Sequence, residues 1–221
     1  MELNSQRTEA YFQQRAHQFD ALYEGKRGWH YYFNRVFRGA LYERVELTLS
    51  AFQDLHDFSV LDVGCGSGRN SVLFAKAGAR RVVGIDFAEN MISLAQQCSR
   101  IHGVETKCDF IKADALSYQF QEKFDCVVAL GVFDYIADPR ELLRRMIDLS
   151  IHTVVGSFPR PSLLRAPLRK LRYSLRNCSV YFFSKRRLEG ICREVGLQDF
   201  ELLSCGGAGY VLVGNVKRDD S

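Results

Sequence analysis

The sequence lacks three features typical of membrane, secreted and metal-binding proteins. No run approaches the roughly 20 consecutive apolar residues that a transmembrane helix needs, and the first ten residues are polar, without the apolar core of a signal peptide. The seven cysteines include no Cys-x-x-Cys pair, and no spaced histidine pair accompanies them, so the common zinc sites are disfavoured. We therefore predict a cytoplasmic protein with reduced, mostly buried thiols and no metal.

Acidic residues are missing from one long segment. Residues 149–188 contain nine Lys or Arg and no Asp or Glu, whereas the whole chain of 221 residues has 30 basic and 26 acidic residues and a formal net charge of +4. The remainder of the chain therefore carries a net charge of −5. Because the positive charge is concentrated in this segment, we expect an anionic partner there rather than over the whole surface.

The most informative stretch is an apolar strand that runs into a glycine-rich turn. The strand ends at residue 63, Gly64, Gly66 and Gly68 follow, and an apolar run from 71 to 77 predicts a helix. Glycines at alternate positions allow a turn with positive φ and let a ligand lie against the main chain. The N–H groups at the start of the helix would face that ligand. The pattern predicts a nucleotide-cofactor loop.

The remaining periodicity predicts alternating strands and helices. The four residues 205–208 that join the last two strands are too short for a helical crossover and indicate an antiparallel hairpin. We predict an α/β, Rossmann-like fold with a seven-stranded, mainly parallel sheet that ends in this hairpin and has helices on both faces. The predicted strands after the first are 81–86, 110–115, 124–131, 151–157, 200–204 and 209–214, and the predicted helices after the loop helix are 88–100, 138–149 and 184–195.

Acids stand beside the loop and at the ends of the next two strands. Asp86 follows Gly68 by 18 positions, where an acid accepts hydrogen bonds from ribose hydroxyls in nucleotide-binding folds, and Asp114 is placed to meet an adenine amino group. The dinucleotide fingerprint G-x-G-x-x-G is incomplete, because Arg69 stands where its third glycine should be. Asp62 adds a negative charge that suits a cationic ligand. A nicotinamide-dependent oxidoreductase is therefore the less favoured alternative.

With these residues the chain resembles the class I S-adenosylmethionine-dependent methyltransferases. The motifs that carry the resemblance are Leu61–Gly68, Val83–Asp86, Lys112–Ala115 and Phe124–Val128, and it covers residues 58–157. It implies S-adenosylmethionine as the cofactor. It also implies cofactor-binding roles for Asp62, Gly64, Cys65, Gly66 and Gly68 at the methionine moiety, Asp86 at the ribose, Phe87, Met91, Asp114 and Ala115 at the adenine, and Leu130, Gly131 and Val132 beneath the sulfonium. For Met91 and Leu130 plain core packing is an equal alternative, and for Cys65 packing is preferred over nucleophilic chemistry.

The rest of the chain is interpreted as additions to a single domain. We predict an N-terminal helical layer over residues 1–57, the cofactor-binding core over 58–157, a basic insertion over 158–183, and the last helix and hairpin over 184–216. The N-terminal layer is rich in aromatic residues. It either packs on the sheet or forms a lid over the substrate, and the candidates for lid contacts are Tyr11, Tyr31, Tyr32 and Arg35.

The acceptor site is expected after the fourth strand, at the edge where open α/β sheets bind ligands. Asp134 and Tyr135 lie there and are the candidate catalytic residues; their alternative roles are a turn acid and a packing aromatic. A hydroxyl acceptor would need a base to take its proton, and a carboxylate acceptor would not. The Asn/Asp-Pro-Pro-Tyr-like motif typical of methyltransferases that modify nucleic acid bases is absent at residues 131–134, so nucleic acid is disfavoured as substrate.

The basic insertion contains leucines at helical spacing over residues 164–175, each followed by an arginine. It is interpreted as a solvated cover, as a cap whose arginines bind an anionic substrate, or as a helix at residues 162–176 that contacts an anionic membrane. RNA binding is a further alternative without a recognised module. Sedimentation with anionic liposomes separates the membrane interpretation from the soluble cap. The cap arginines are Arg165, Arg169 and Arg172.

The sequence thus predicts a methyltransferase that acts on a small anionic or amphiphilic acceptor, more at oxygen than at nitrogen. The general outline is similar to small-molecule O-methyltransferases of quinone and tetrapyrrole pathways. A catalytically silent, S-adenosylmethionine-binding partner subunit remains an alternative function.

Overall fold

The structure is a computed structural model that describes residues 43–161, 179–206 and 209–216. Residues 43–50 are helical and are called α1. The other elements are β1 (Ser59–Val63), α2 (Arg69–Lys76), β2 (Arg81–Asp86), α3 (Glu89–Ile101), β3 (Cys108–Lys112), β4 (Phe124–Ala129), a 3₁₀ helix (Phe133–Tyr135), α4 (Arg140–Leu149), β5 (Ser150–Pro159), α5 (Lys185–Glu194), β6 (Asp199–Cys205) and β7 (Gly209–Asn215). None of the described helices is both long enough and apolar enough to cross a membrane.

The strands form one sheet of seven in the order β3-β2-β1-β4-β5-β7-β6. Neighbours among β1 to β5 pair in parallel, whereas β7 pairs antiparallel with both β5 and β6. The predicted α/β fold with a mainly parallel sheet and a final hairpin is therefore confirmed. The parallel strands are joined through helical crossovers, which is why their sequences read as short apolar runs separated by amphipathic helices.

The predicted element boundaries agree with the structure to within two residues, except at the end of β3. This strand was predicted at 110–115, but β3 covers Cys108–Lys112 and ends before Ala113 and Asp114, so its predicted end was wrong. The Ala113 N–H still donates to the Asp86 carbonyl at 3.1 Å. The chain therefore leaves the sheet after one further hydrogen bond, and Asp114 lies in the turn beyond it.

The core lies on both faces of the sheet. Adjacent residues of β1 point to opposite faces, so that Leu61 packs with the cluster that contains Leu143 and Leu188, whereas Val60 packs with the cluster that contains Phe74. The central strand β4 is apolar and buried along its length apart from Asp125, as expected for a strand covered on both faces. This packing fixes the position of the carboxyl ends of β1, β2, β4 and β5.

An aromatic stack lies at the carboxyl end of β5. The rings of Phe133 and Phe158 stack at a centroid distance of 4.2 Å, and Phe183 meets Phe158 edge-on at 5.5 Å. The Phe183 N–H donates to the Pro159 carbonyl at 2.9 Å. The segment that enters α5 is thereby fixed to the end of β5.

Candidate active site

The carboxyl ends of β1, β2 and β4 lie side by side, and the sheet order reverses between β1 and β4. Open α/β sheets bind ligands in the crevice at such a reversal. The glycine-rich turn follows β1 there, the turn into α3 follows β2, and the 3₁₀ helix follows β4. Three loops predicted separately from the sequence therefore meet at one crevice.

The three loop glycines have different surroundings. All three have positive φ, at +66° for Gly64, +53° for Gly66 and +74° for Gly68. A Cβ at Gly64 would lie 2.4 Å from Val132 Cγ2, and one at Gly68 would lie 2.8 Å from Ala95 Cβ, but one at Gly66 would meet nothing within 4 Å. Gly64 and Gly68 are therefore needed for packing, whereas Gly66 leaves a space above the main chain in which a ligand fits.

Asp86 ties the loop to the end of β2. One of its carboxylate oxygens accepts the Gly66 N–H at 2.9 Å and the other accepts the Ala88 N–H, also at 2.9 Å. Burial raises the pKa of this carboxyl group, and the backbone N–H donors act against the rise. The carboxylate therefore holds the loop in shape and lies at the rim of the space above Gly66.

Asp62 lies beneath the loop and is fully buried. Its Oδ2 accepts the Ser71 hydroxyl at 2.6 Å, so the loop strand and α2 are joined below the glycines. Burial raises the pKa of Asp62 to about 7, with the Ser71 hydrogen bond and the positive charge of Arg44 acting against the rise. A cation bound above the loop would favour the charged form of this carboxyl group.

The raised pKa of Asp62 predicts a loss of stability with rising pH. In the unfolded chain this carboxyl ionises near its usual value of 3.8, whereas in the folded protein it keeps its proton up to about pH 7. The folded state therefore binds more protons, and its advantage declines as the pH rises through that range. This pH dependence should vanish in Asp62→Asn. Between pH 6 and pH 8 the free energy of unfolding should therefore fall by about 1.4 kcal/mol more in the wild type than in the variant. Urea unfolding of both proteins at the two pH values measures the difference, and parallel profiles would contradict it.

Two residues of the crevice, Arg44 and Ser157, were not found from the sequence. Arg44 in α1 reaches the ends of β4 and β5, where its Nη1 donates to Ser157 Oγ at 3.3 Å. The Gly131 N–H donates to the same oxygen at 2.8 Å. Among the described residues, the buried Nε of Arg44 has no hydrogen-bond partner and Arg44 forms no ion pair. No motif marks either residue, since only the fold brings them to the crevice.

The other residues predicted to bind the cofactor lie around the same loops. Phe87 is half-buried, Met91 is buried against Ala88, and Leu130 is buried in the core cluster that contains Phe74. The Cys65 thiol is buried beside Gly84, which raises its pKa, so its side chain packs beneath the turn. The partly exposed members of the set are Gly131, Val132 and Ala115, and Asp114 is exposed with its Oδ1 accepting the Leu116 N–H at 3.0 Å.

The candidate catalytic residues lie in the 3₁₀ helix after β4. Asp134 and Tyr135 are both half-buried. The Asp134 carbonyl accepts the Tyr181 N–H at 2.9 Å, which places Tyr181 beside them. The structure therefore brings this helix and the aromatic segment before α5 together at one side of the crevice. The candidate substrate residues Tyr11, Tyr31, Tyr32, Arg35, Arg165, Arg169 and Arg172 lie outside the described residues.

The comparison with protein families agrees with this geometry. Residues 60–150 match the family model described as a methyltransferase domain. The matched range begins in β1, contains the glycine loop, Asp86 and the 3₁₀ helix, and ends at the start of β5. The chain contains a class I methyltransferase domain. S-adenosylmethionine is the cofactor of this class, so the predicted family and cofactor are confirmed.

Curated relatives match part of the chain. The chain is 34% identical over 113 residues to a ubiquinone biosynthesis O-methyltransferase of Hydrogenovibrio crunogenus, covering 48% of this chain and 44% of that one. It is 39% identical over 85 residues to the enzyme of the same name from Pseudomonas entomophila, covering 38% and 36% of the two chains. The chain thus spans less than half the length of these curated relatives.

The fold extends further than the sequence similarity. The crystal structure of a magnesium protoporphyrin IX methyltransferase from Synechocystis with bound S-adenosylhomocysteine superposes with a TM-score of 0.76. The two are 20% identical, and the superposition covers 95% of this chain and 98% of the other. This likeness supports the fold of the described residues alone.

Proposed function

We propose that this protein transfers a methyl group from S-adenosylmethionine to a small acceptor, more at oxygen than at nitrogen. The observation that carries the proposal is the convergence of the glycine loop, Asp86 and Arg44 at the carboxyl ends of β1, β2 and β5. The names of the two curated relatives, both ubiquinone biosynthesis O-methyltransferases, support an oxygen acceptor.

The residues of the crevice fit this cofactor. A ligand can lie over Gly66, where a Cβ would meet nothing within 4 Å, and Asp86 at the rim can accept ribose hydroxyls. The methionine half carries a carboxylate, which suits the guanidinium of Arg44, a group that forms no ion pair with any described residue, because a partly buried cation is stabilised by an anionic partner. Its amino group and sulfonium are positive, and a positive charge above the loop would favour the charged form of Asp62. When bound, the cofactor supplies an electrophilic methyl carbon.

The protein's own part in the reaction is mainly positional. In-line displacement requires an acceptor lone pair about 3 Å from the methyl carbon, in a site without water. Asp134 and Tyr135 are proposed to contact the acceptor, because the 3₁₀ helix follows β4 directly and borders the crevice. If the acceptor is a hydroxyl or a phenol, the Asp134 carboxylate is the proposed base. A carboxylate acceptor needs only orientation.

An anionic or amphiphilic acceptor is proposed from the charge distribution. Among the described residues of the acid-free segment, Lys185 and Arg186 are exposed at the start of α5, close in sequence to the aromatic residues beside the 3₁₀ helix. Arg187 is also exposed and its guanidinium lies over the Phe183 ring, Arg160 is half-buried, and the five basic residues at 165–176, among them those proposed as cap or membrane contacts, lie outside the described ranges. Positive charge at the mouth of a crevice favours the approach of anionic ligands.

The test of the proposed function is direct. Calorimetry with S-adenosylhomocysteine should give a dissociation constant in the micromolar range, and radiolabelled S-adenosylmethionine should transfer its methyl group to members of a panel of phenols, quinols and porphyrin carboxylates. Absence of binding by the folded protein would contradict the proposal. Binding without turnover on the whole panel, together with a partner protein that restores turnover, would favour the silent subunit instead.

A further inference from the structure

Ser157 occupies a junction between three segments that lie far apart in the sequence. It is buried on β5, one residue beyond Gly156, the last residue of β5 that pairs with β4. Its hydroxyl oxygen accepts both the Gly131 N–H and Arg44 Nη1, at 2.8 and 3.3 Å. A hydroxyl oxygen has two lone pairs, so both acceptor positions of Ser157 are used to hold the turn after β4 and the side chain from α1.

The same contacts fix where the guanidinium lies. A Cβ at Gly131 would be 3.4 Å from Arg44 Nη1 and 3.9 Å from Nη2, so the guanidinium rests against the main chain at this glycine. Ser157 supplies the only side-chain acceptor for Arg44 among the described residues. Without this hydroxyl, the long arginine side chain would lose the contact that selects one rotamer. The entropic cost of ordering this side chain would then reduce the free energy of ligand binding.

We propose that Ser157 is a positioning residue for the methionine half of the cofactor. It holds the Arg44 guanidinium and the Gly131 turn in the arrangement that receives the ligand's carboxylate. This inference rests on the proposed function, because it assumes that the crevice takes a ligand with a methionine moiety. It goes beyond that function because it gives a serine on β5 a positioning role in the carboxylate subsite, although this serine lies outside the glycine loop and its motifs.

The test compares two ligands that differ in the methionine half alone. S-adenosylhomocysteine carries the carboxylate, whereas 5′-methylthioadenosine has the same nucleoside and sulfur but no amino acid group. Ser157→Ala should weaken binding of the first about tenfold and of the second less than about twofold, since only the carboxylate contact is lost. Calorimetry on the full chain measures both dissociation constants. A role in general packing would weaken both ligands alike.

Two further variants keep the proposal falsifiable. Ser150→Ala removes a buried hydroxyl at the opposite end of the same strand, where it donates to the Thr153 carbonyl at 3.0 Å, and should leave both dissociation constants unchanged. Arg44→Gln should reproduce the selectivity of Ser157→Ala, and the double variant should be no weaker than Arg44→Gln alone, because both changes remove the same contact.

Equal weakening of the two ligands by Ser157→Ala, or no weakening of either in the folded variant, would overturn the inference. If Ser157→Ala does not fold, an Arg44→Gln variant that loses both ligands equally, or neither, overturns it as well. Failure of the wild type to bind S-adenosylhomocysteine would instead overturn the proposed function, so the two failures are distinguishable.

Discussion

Replacing Gly68 by alanine is expected to lower the free energy of unfolding by about 3 kcal/mol, from a left-handed backbone cost of about 1–2 kcal/mol and a packing cost of about 1–3 kcal/mol. Gly68 has a φ of +74°, and its new Cβ would lie 2.8 Å from Ala95 Cβ and 2.9 Å from Ala95 Cα. The second atom belongs to the backbone of α3, so a side-chain rotation cannot relieve the clash. The helix must move away from the loop, which disturbs the core between them.

Urea unfolding of the variant measures the loss, and the expected fall in melting temperature is on the order of 10 °C for a chain of this size. Gly103→Ala is the matched control, because Gly103 has a φ of +66° and nothing within 4 Å of the new Cβ. It should show the backbone cost alone. If the two variants have equal stability, the contact with Ala95 does not constrain the loop and the packing argument fails.

Asp86→Ala is expected to weaken the binding of S-adenosylhomocysteine by at least about 100-fold, or roughly 2.7 kcal/mol. The carboxylate is proposed to accept the ribose hydroxyls, and hydrogen bonds to charged groups contribute about 1.5–3 kcal/mol each. The variant also removes the acceptor of the Gly66 N–H, so the loop above which the ligand lies loses its anchor. Stability should change less than affinity, because removal of a buried carboxylate also removes its desolvation cost.

The comparison uses calorimetry with a second aspartate variant. Asp109→Ala removes an acid from the neighbouring strand β3, where Asp109 is 60% exposed and pairs with Arg81 at 2.9 Å. Exposed ion pairs contribute little, so this variant should bind S-adenosylhomocysteine with an affinity within about twofold of the wild type. Wild-type affinity in Asp86→Ala would show that the nucleoside is held elsewhere and would remove the main support for the proposed site.

The fold was largely predictable because its determinants are local. The strand Phe124–Ala129 is apolar apart from Asp125, and the chain between residues 205 and 209 is too short to cross the sheet, so both the buried centre and the final hairpin follow from the sequence. The end of β3 was misplaced because Ala113 still donates one hydrogen bond to β2 and carries no turn signal. The periodicity of a sequence shows which residues are apolar, but it does not show where the hydrogen bonds between two neighbouring strands end.

The candidate site was predictable only where glycines and acids mark the main chain. The glycine loop and Asp86 carry such signals, and the structure places them together. Arg44 and Ser157 carry none, because one is an arginine on a helix and the other a serine within a β-branched strand. Their meeting depends on a contact across 113 positions of sequence. The sequence also suggested that Asp62 carries a negative charge, but burial raises its pKa to about 7.

The hydrogen bond between the Phe183 N–H and the Pro159 carbonyl has an evolutionary consequence. It joins the two ends of the basic insertion, residues 158–183, beside the aromatic stack, so this insertion begins and ends at the same point of the sheet. Doubling the length of a chain segment closed in this way costs only about 0.6 kcal/mol. We therefore expect the length and sequence of this insertion to vary among relatives, while the glycine loop and Asp86 remain the same.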